Sequence, residues 1–181
     1  MKRYAALGVF AVVAVAVLAF VQLGEPAWLQ RLRYPLDYNT IVRAHAHNYR
    51  LQPALLAAVI YQESKFDSEA KSSSGAIGLM QLQPATAEGI ALRTGGSKFT
   101  TADLYDPEIN IRYGSWYLRH LLDKYENERL ALAAYNAGQR NVDEWKKEGV
   151  GIQFGETRHY VSRVEDLKKI YRHAYAKDLG Y

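Results

Sequence analysis

A mostly α-helical domain behind one N-terminal apolar segment is the fold class this sequence predicts. Three observations carry it. From residue 38 onward apolar residues recur at spacings of three and four, the period of a helix face, and strand-like alternation is scarce. Pro53, Pro84 and Pro107 stand where helices begin, and Gly95 and Gly138 where helices stop. The stretch after Lys2 and Arg3 is uncharged to residue 24, about the 20 apolar residues a helix needs to cross a bilayer.

Residues 1–24 are therefore expected to be a transmembrane helix whose basic start stays in the cytoplasm, leaving the remaining chain outside. The length of the run and the lack of an Ala-x-Ala site favour a retained, single-pass anchor; a signal segment cleaved after export is the alternative. Residues 25–37, with Pro26 and Pro35, read as a tether. Residues 38–181 form the exported domain.

Its elements follow in order. "NTIVRAHAHNYR" is a first helix opened by a capping-type residue, and Pro53 starts a second. "KSSSGAIGLMQLQ" is a loop, and Pro84 opens a third helix ending near Gly95. Asp106 is the expected N-cap of a long helix whose buried stripe would be Ile109, Trp116, Leu118, Leu121 and Leu122. Asn127 caps "ERLALAAYNAG", which Gly138 terminates. A short helix over 142–146 and a last one from 156 to about 176 complete the set. A small hairpin is compatible with the pattern but not marked in it.

Composition narrows the function. The 181 residues suffice for one core, and nearly half are apolar. A net charge of +4 with a pI of about 9.2 favours anionic surfaces. The positive charge is scattered, without an aromatic-rich basic cluster, so no nucleic-acid partner is expected. No cysteine is present, which removes disulfides, thiolate metal sites and cysteine nucleophiles. His45 and His47 are two apart and point in different directions on a helix, so no metal and no cofactor is expected. Fourteen tyrosines suit sugar faces or interfaces, and equally ordinary packing.

Glu63 is the residue out of place. It falls on the same helical face as Leu56, Val59 and Ile60, where a carboxyl is costly unless paired or neutral. Burial there would raise its pKa and make it a general acid suited to glycosidic cleavage. A glutamate escaping to solvent at a helix end is the plain alternative, and position alone leaves both open. Downstream, "SSSGAIGLMQ" joins hydroxyls to glycines that let backbone approach a ligand. "AAYNAG" sets an aromatic beside an amide at a helix end, which is a cap and a core residue or a sugar subsite.

The order "ES", "GAIGLMQ", "AYNAG", "ETRHYV" resembles the soluble-lytic-transglycosylase (SLT) domain, over roughly residues 38–175. That resemblance implies a goose-lysozyme-like fold and cleavage of peptidoglycan glycan strands. It implies Glu63 as catalytic acid/base, and Ser72 as a hydroxyl orienting the N-acetyl group. It places Gln81 in the cleft lining, Tyr135 and Asn136 at the reacting centre, and Glu156 and Tyr160 in the motif closing the groove. The chain departs from the family at Gln83, where relatives often carry methionine. Only one carboxylate is implied, and Asp67 reads as a loop residue. The second carboxylate of an ordinary glycosidase would be replaced by the substrate's own N-acetyl carbonyl. A 1,6-anhydro product would then form without water. A lysozyme-type hydrolase, and a non-catalytic peptidoglycan-binding scaffold in an envelope complex, are the competing readings. The expected partners are the glycan strands and, through the N-terminal helix, the inner membrane. The domain would face the periplasm or the outside.

Overall fold

The structure, a computed structural model, describes residues 25–96 and 98–181. The expected membrane segment, residues 1–24, lies outside the described residues. Among the described residues no helix is long and apolar enough to cross a membrane. Residues 25–35 and the described residues from 36 to 181 belong to separate units. In the first, the expected tether is not wholly extended: α1 (Ala27–Arg33) follows Pro26, and Arg33 bonds Glu25 at 2.8 Å. "AWLQRLR" lacks glycine and β-branched residues, so a helix turn forms readily there.

In the second unit, α2 (Asn39–Asn48) begins one residue earlier than a side-chain cap at Asn39 would place it. Tyr38 is the N-cap residue, in the left-handed region at φ 52°, and no side chain caps the helix. Val42, His45 and Ala46 are buried and His47 is exposed, so the two histidines do point apart.

α3 (Pro53–Ser64) starts at Pro53 as expected and stops where Lys65 turns left-handed at φ 54°. The expected apolar face of Leu56, Val59 and Ile60 is buried, but burial extends beyond it. Every residue from Ala54 to Ile60 is buried, so this stretch of the helix has no solvent face. Ala54, Ala57 and Ala58 keep its other sides slim enough for α2 and α8 to pack closely against it.

α4 (Pro84–Thr94) ends at left-handed Gly95, φ 80°, as the glycine predicts. A 3-10 turn at Thr101–Tyr105, unexpected from the pattern, is held by a capping box: Asp103 Oδ2 accepts from Thr100 N at 2.7 Å. α5 (Pro107–Tyr125) and α6 (Glu128–Ala137) have their expected caps. Asp106 accepts from Ile109 N at 3.0 Å, and Asn127 from Leu130 N at 3.1 Å.

The stripe of α5 is rotated from the expected one. Leu118 and Leu121 are buried, but Ile109, Trp116 and Leu122 are only half-buried. The inner face runs through Ile111, Gly114, Ser115, Leu118, Leu121 and Tyr125. Small and polar members hid it from a reading that weighted bulk. α7 (Gln139–Glu148) is longer than predicted. The last long helix is α8 (Gly155–Ala174), which ends at Tyr175 before a short α9 (Ala176–Leu179).

α3 sits at the centre, with α8 laid along it. α6 packs on α5, α7 and α8, and α4 packs on α5. The loop between α3 and α4 carries isolated antiparallel bridges, Lys71 with Ile77 and Ile77 with Leu82, in place of a formed hairpin.

Candidate active site

Glu63 occupies the last turn of the buried helix α3, facing α8. The residue keeps part of its surface open while its carboxyl is enclosed by protein. Tyr160, on the inner face of α8, donates its phenol proton to Glu63 Oε1 at 2.6 Å. Burial pushes the Glu63 pKa up from 4.5 to about 7, against the Tyr160 hydrogen bond, which favours the carboxylate. Desolvation wins. The group is thus part protonated near neutrality, able both to give and to take a proton.

Tyr135, near the end of α6, is the second phenol beside this carboxyl. Its hydroxyl donates to Met80 O at 2.8 Å, and its ring packs against Tyr117 with centroids 5.5 Å apart. Burial raises the pKa of Tyr135 and Tyr160 well above 10.0, and the nearby Glu63 charge adds to it. Among the described residues no other carboxylate perturbs these two phenols. Asp67 is exposed and spends Oδ1 on Glu69 N at 2.9 Å, a turn contact.

Asn136, the next residue along, is exposed, and its Oδ1 accepts from Thr157 Oγ1 at 2.8 Å. Tyr135, Asn136, Tyr160 and Glu63 therefore come together across α3, α6 and α8, from segments far apart in the chain.

The other expected site residues behave differently. Ser72 is half-buried, and its hydroxyl accepts from Ala76 N and meets Ser74 Oγ, both at 2.9 Å. Gln81 directs Nε2 inward, to Ala70 O at 3.1 Å and Gly78 O at 2.9 Å, so its amide nitrogen braces the loop. Gln83 is exposed, with Nε2 at 3.5 Å from Ser74 Oγ. Glu156 is exposed in the first turn of α8 and has no hydrogen bond to the other site residues.

The loop owes its shape to residues that the sequence reading missed. Asn110, wholly buried on α5, accepts from Met80 N at 2.8 Å and donates to Ile77 O at 2.9 Å and Leu104 O at 2.7 Å. Gly78, at φ 77°, passes so close that an added Cβ would lie 2.3 Å from both Asn110 Nδ2 and Leu104 O. Ser64 Oγ donates to Leu79 O at 2.9 Å, tying the Glu63 end of α3 to the same loop. The available signal was modest: Asn110 sits near the start of α5 between two isoleucines, and Thr157 lies three residues before Tyr160 on one face.

Among the described residues no group of three or more His, Cys, Asp or Glu is placed to hold a metal ion. A cavity of about 630 Å³ lined by Arg43, His47, Leu51 and Leu179 contains none of the site residues.

Known proteins resemble this chain in sequence and in fold. The transglycosylase SLT domain matches residues 40–151. The chain is 33% identical over 153 residues to the soluble lytic murein transglycosylase of Escherichia coli K12, covering 78% of this chain and 24% of that protein. It is 43% identical over 109 residues to membrane-bound lytic murein transglycosylase F of Yersinia pestis, covering 56% of this chain and 20% of the other.

Among solved structures, it superposes on an inactive mutant of the Pseudomonas aeruginosa lytic transglycosylase Slt with a TM-score of 0.73 at 36% identity, covering 78% of this chain and 25% of that one. On the 70 kDa soluble lytic transglycosylase of E. coli the TM-score is 0.74 at 31% identity, covering 80% of this chain and 25% of that one. The helical unit shares its fold with these structures, and the chain spans about a quarter of the length of such relatives. With the match running over more than half of its residues, the chain belongs to the transglycosylase SLT domain family.

Proposed function

We propose that this domain cleaves the β-1,4 bond between N-acetylmuramic acid and N-acetylglucosamine in peptidoglycan, leaving 1,6-anhydro-N-acetylmuramic acid ends and consuming no water. The observation that carries the reading is the single enclosed carboxyl of Glu63, held by Tyr160 and poised near neutral pKa, with no second carboxylate beside it among the described residues.

The steps balance on that one group. Glu63 gives its proton to the glycosidic oxygen as the bond to the anomeric carbon breaks. The N-acetyl carbonyl oxygen of the same sugar attacks that carbon, forming a bicyclic oxazolinium ion. Glu63, now a carboxylate, takes the proton of the 6-hydroxyl. The 6-oxygen then closes on the anomeric carbon, and the carbonyl is released. A 6-hydroxyl held at contact distance outcompetes bulk water, as intramolecular nucleophiles do.

Tyr135 offers a ring face, and Asn136 an amide, to the reacting sugar. Ser72 is a hydroxyl for its N-acetyl group, and Tyr160 acts on the sugar through Glu63. Gln81 serves by holding the loop, and Glu156 is an exposed carboxylate at the start of α8, in the motif that the resemblance assigns to closing the groove. Digestion of peptidoglycan in oxygen-18 water tests the reading. The expected products are anhydro-muropeptides without label. Labelled reducing ends would make the enzyme a hydrolase and overturn it.

The apolar run at residues 4–24 and the membrane-bound relative from Yersinia pestis support a retained anchor with the domain outside the cytoplasm. The full chain should then sediment with membranes, resist high-salt washing and come off in detergent. A mature protein lacking residues 1–24 that washes free would refute the anchor.

A further inference from the structure

Thr157 belongs to no part of the mechanism so far, yet it is buried and its hydroxyl reaches into the site. It lies three residues before Tyr160 on the inner face of α8, about 4.5 Å along the axis. One of the pair holds Asn136 and the other holds Glu63. A single helix face thus places the amide and the acid one step apart.

The hydroxyl proton of Thr157, 2% exposed, needs an acceptor, since an unpaired buried donor carries its full desolvation cost. Asn136 Oδ1, at 2.8 Å, supplies it. Once Oδ1 is the acceptor, the orientation of the amide is decided. Nδ2, a pure donor, is the end left for a ligand. A flipped amide would present an acceptor instead.

We infer that Thr157 is a positioning residue that sets the rotamer of Asn136, so that the site selects a carbonyl oxygen, the N-acetyl group of the reacting sugar, over an amine. This rests on the function proposed above and extends it to specificity: N-acetylated glycan is bound and turned over, and de-N-acetylated glycan at the same position is not. A protonated amine is a donor facing a donor, and it also lacks the carbonyl needed for internal attack.

The test compares Thr157→Val, which keeps shape and loses the hydroxyl, with Thr157→Ser, which keeps the hydroxyl. With Val, kcat/KM on N-acetylated strands should fall roughly tenfold, the loss expected for one oriented hydrogen bond, with most of it in kcat. Ser should restore most of the rate. The basic limb of the pH profile should stay in place in both, because Thr157 does not touch Glu63. In an Asn136→Ala background, Thr157→Val should cost nothing further.

Equal damage from Val and Ser with a lowered Tm, full activity in Val, or additive losses with Asn136→Ala would each overturn the assignment. If the wild type releases no anhydro product, the proposed function falls separately. The positioning role is then read by NMR. The Asn136 side-chain amide should shift with tri-N-acetylchitotriose and not with chitotriose, and Thr157→Val should abolish the difference. Equal responses to the two sugars would sink it.

Discussion

The C-terminal end of α3 and the N-terminal part of α5 each enclose a polar side chain, Glu63 and Asn110, and the two are treated in opposite ways. Asn110 on α5 makes three hydrogen bonds inside the protein, to Met80 N, Ile77 O and Leu104 O. Glu63 on α3 has one, from Tyr160, and burial leaves its proton held near neutrality. A satisfied buried amide is a structural brace, because nothing remains to offer a ligand. A desolvated and nearly unpaired acid is an energetic cost that the fold tolerates, and such costs concentrate where chemistry is done. The two regions meet in one loop: Asn110 shapes residues 77–80, and Met80 O in turn anchors Tyr135 beside Glu63.

The sharpest way to break the contrast is Glu63→Gln. Activity should fall by roughly a thousandfold or more, since the amide fills the space but carries no transferable proton. Stability should move the other way. The folded-state pKa is raised, so the wild type loses stability as pH rises from 4.5 through about 7, while Gln does not. The stability advantage of Gln over wild type, followed by urea unfolding, should therefore be small at pH 4 and grow to its full size above pH 7, on the order of 3 kcal/mol at most. A flat difference across that range would mean that burial does not tune Glu63.

Asn110→Ala should do the reverse, costing stability first and activity through it. Three backbone groups lose their partner, and about 3–5 kcal/mol is expected, measured by urea unfolding. A loss under about 1 kcal/mol would show that water replaces the amide and that Asn110 is no brace. Gly114→Ala probes the same seam from α5. An added Cβ would lie 2.3 Å from Met80 Sδ and 2.8 Å from Met80 Cβ. Overpacking of about 1–3 kcal/mol should follow, with Met80 pushed toward Tyr135 and kcat lowered. Unchanged stability would mean that the loop is looser than its contacts imply.

The smallest expected effect is that of Tyr160→Phe on the pH profile. The Tyr160 hydrogen bond lowers the Glu63 pKa against the larger burial effect, so removing it should raise that pKa further. The basic limb of kcat/KM, expected near pH 7 in the wild type, should move upward. Movement downward would show that Tyr160 stabilises the protonated carboxyl instead.

Helix positions, their proline starts and the caps at Asp106, Asn127, Gly95 and Gly138 were legible from the sequence, because those signals act within a few residues of the chain. Tyr135, Asn136 and Tyr160 were named from motif order through the family resemblance, whereas Thr157, which bonds Asn136, was not. What no local pattern could determine was which sides of a helix face protein. The alanines of α3 look like an indifferent face, and they are the contact surface for neighbours that arrive from residues 39–48 and 155–174. The burial that sets the Glu63 proton comes from that encirclement. The inner face of α5 was misjudged for a related reason: Gly114 and Asn110 are inside because Met80 and two carbonyls approach them, and small or polar residues reveal nothing about such approaches until the partner is in place. Local chemistry determines where a helix begins and ends. Desolvation and side-chain pairing over long sequence separations, such as Tyr160 with Glu63 and Thr157 with Asn136, exist only once the chain has closed on itself.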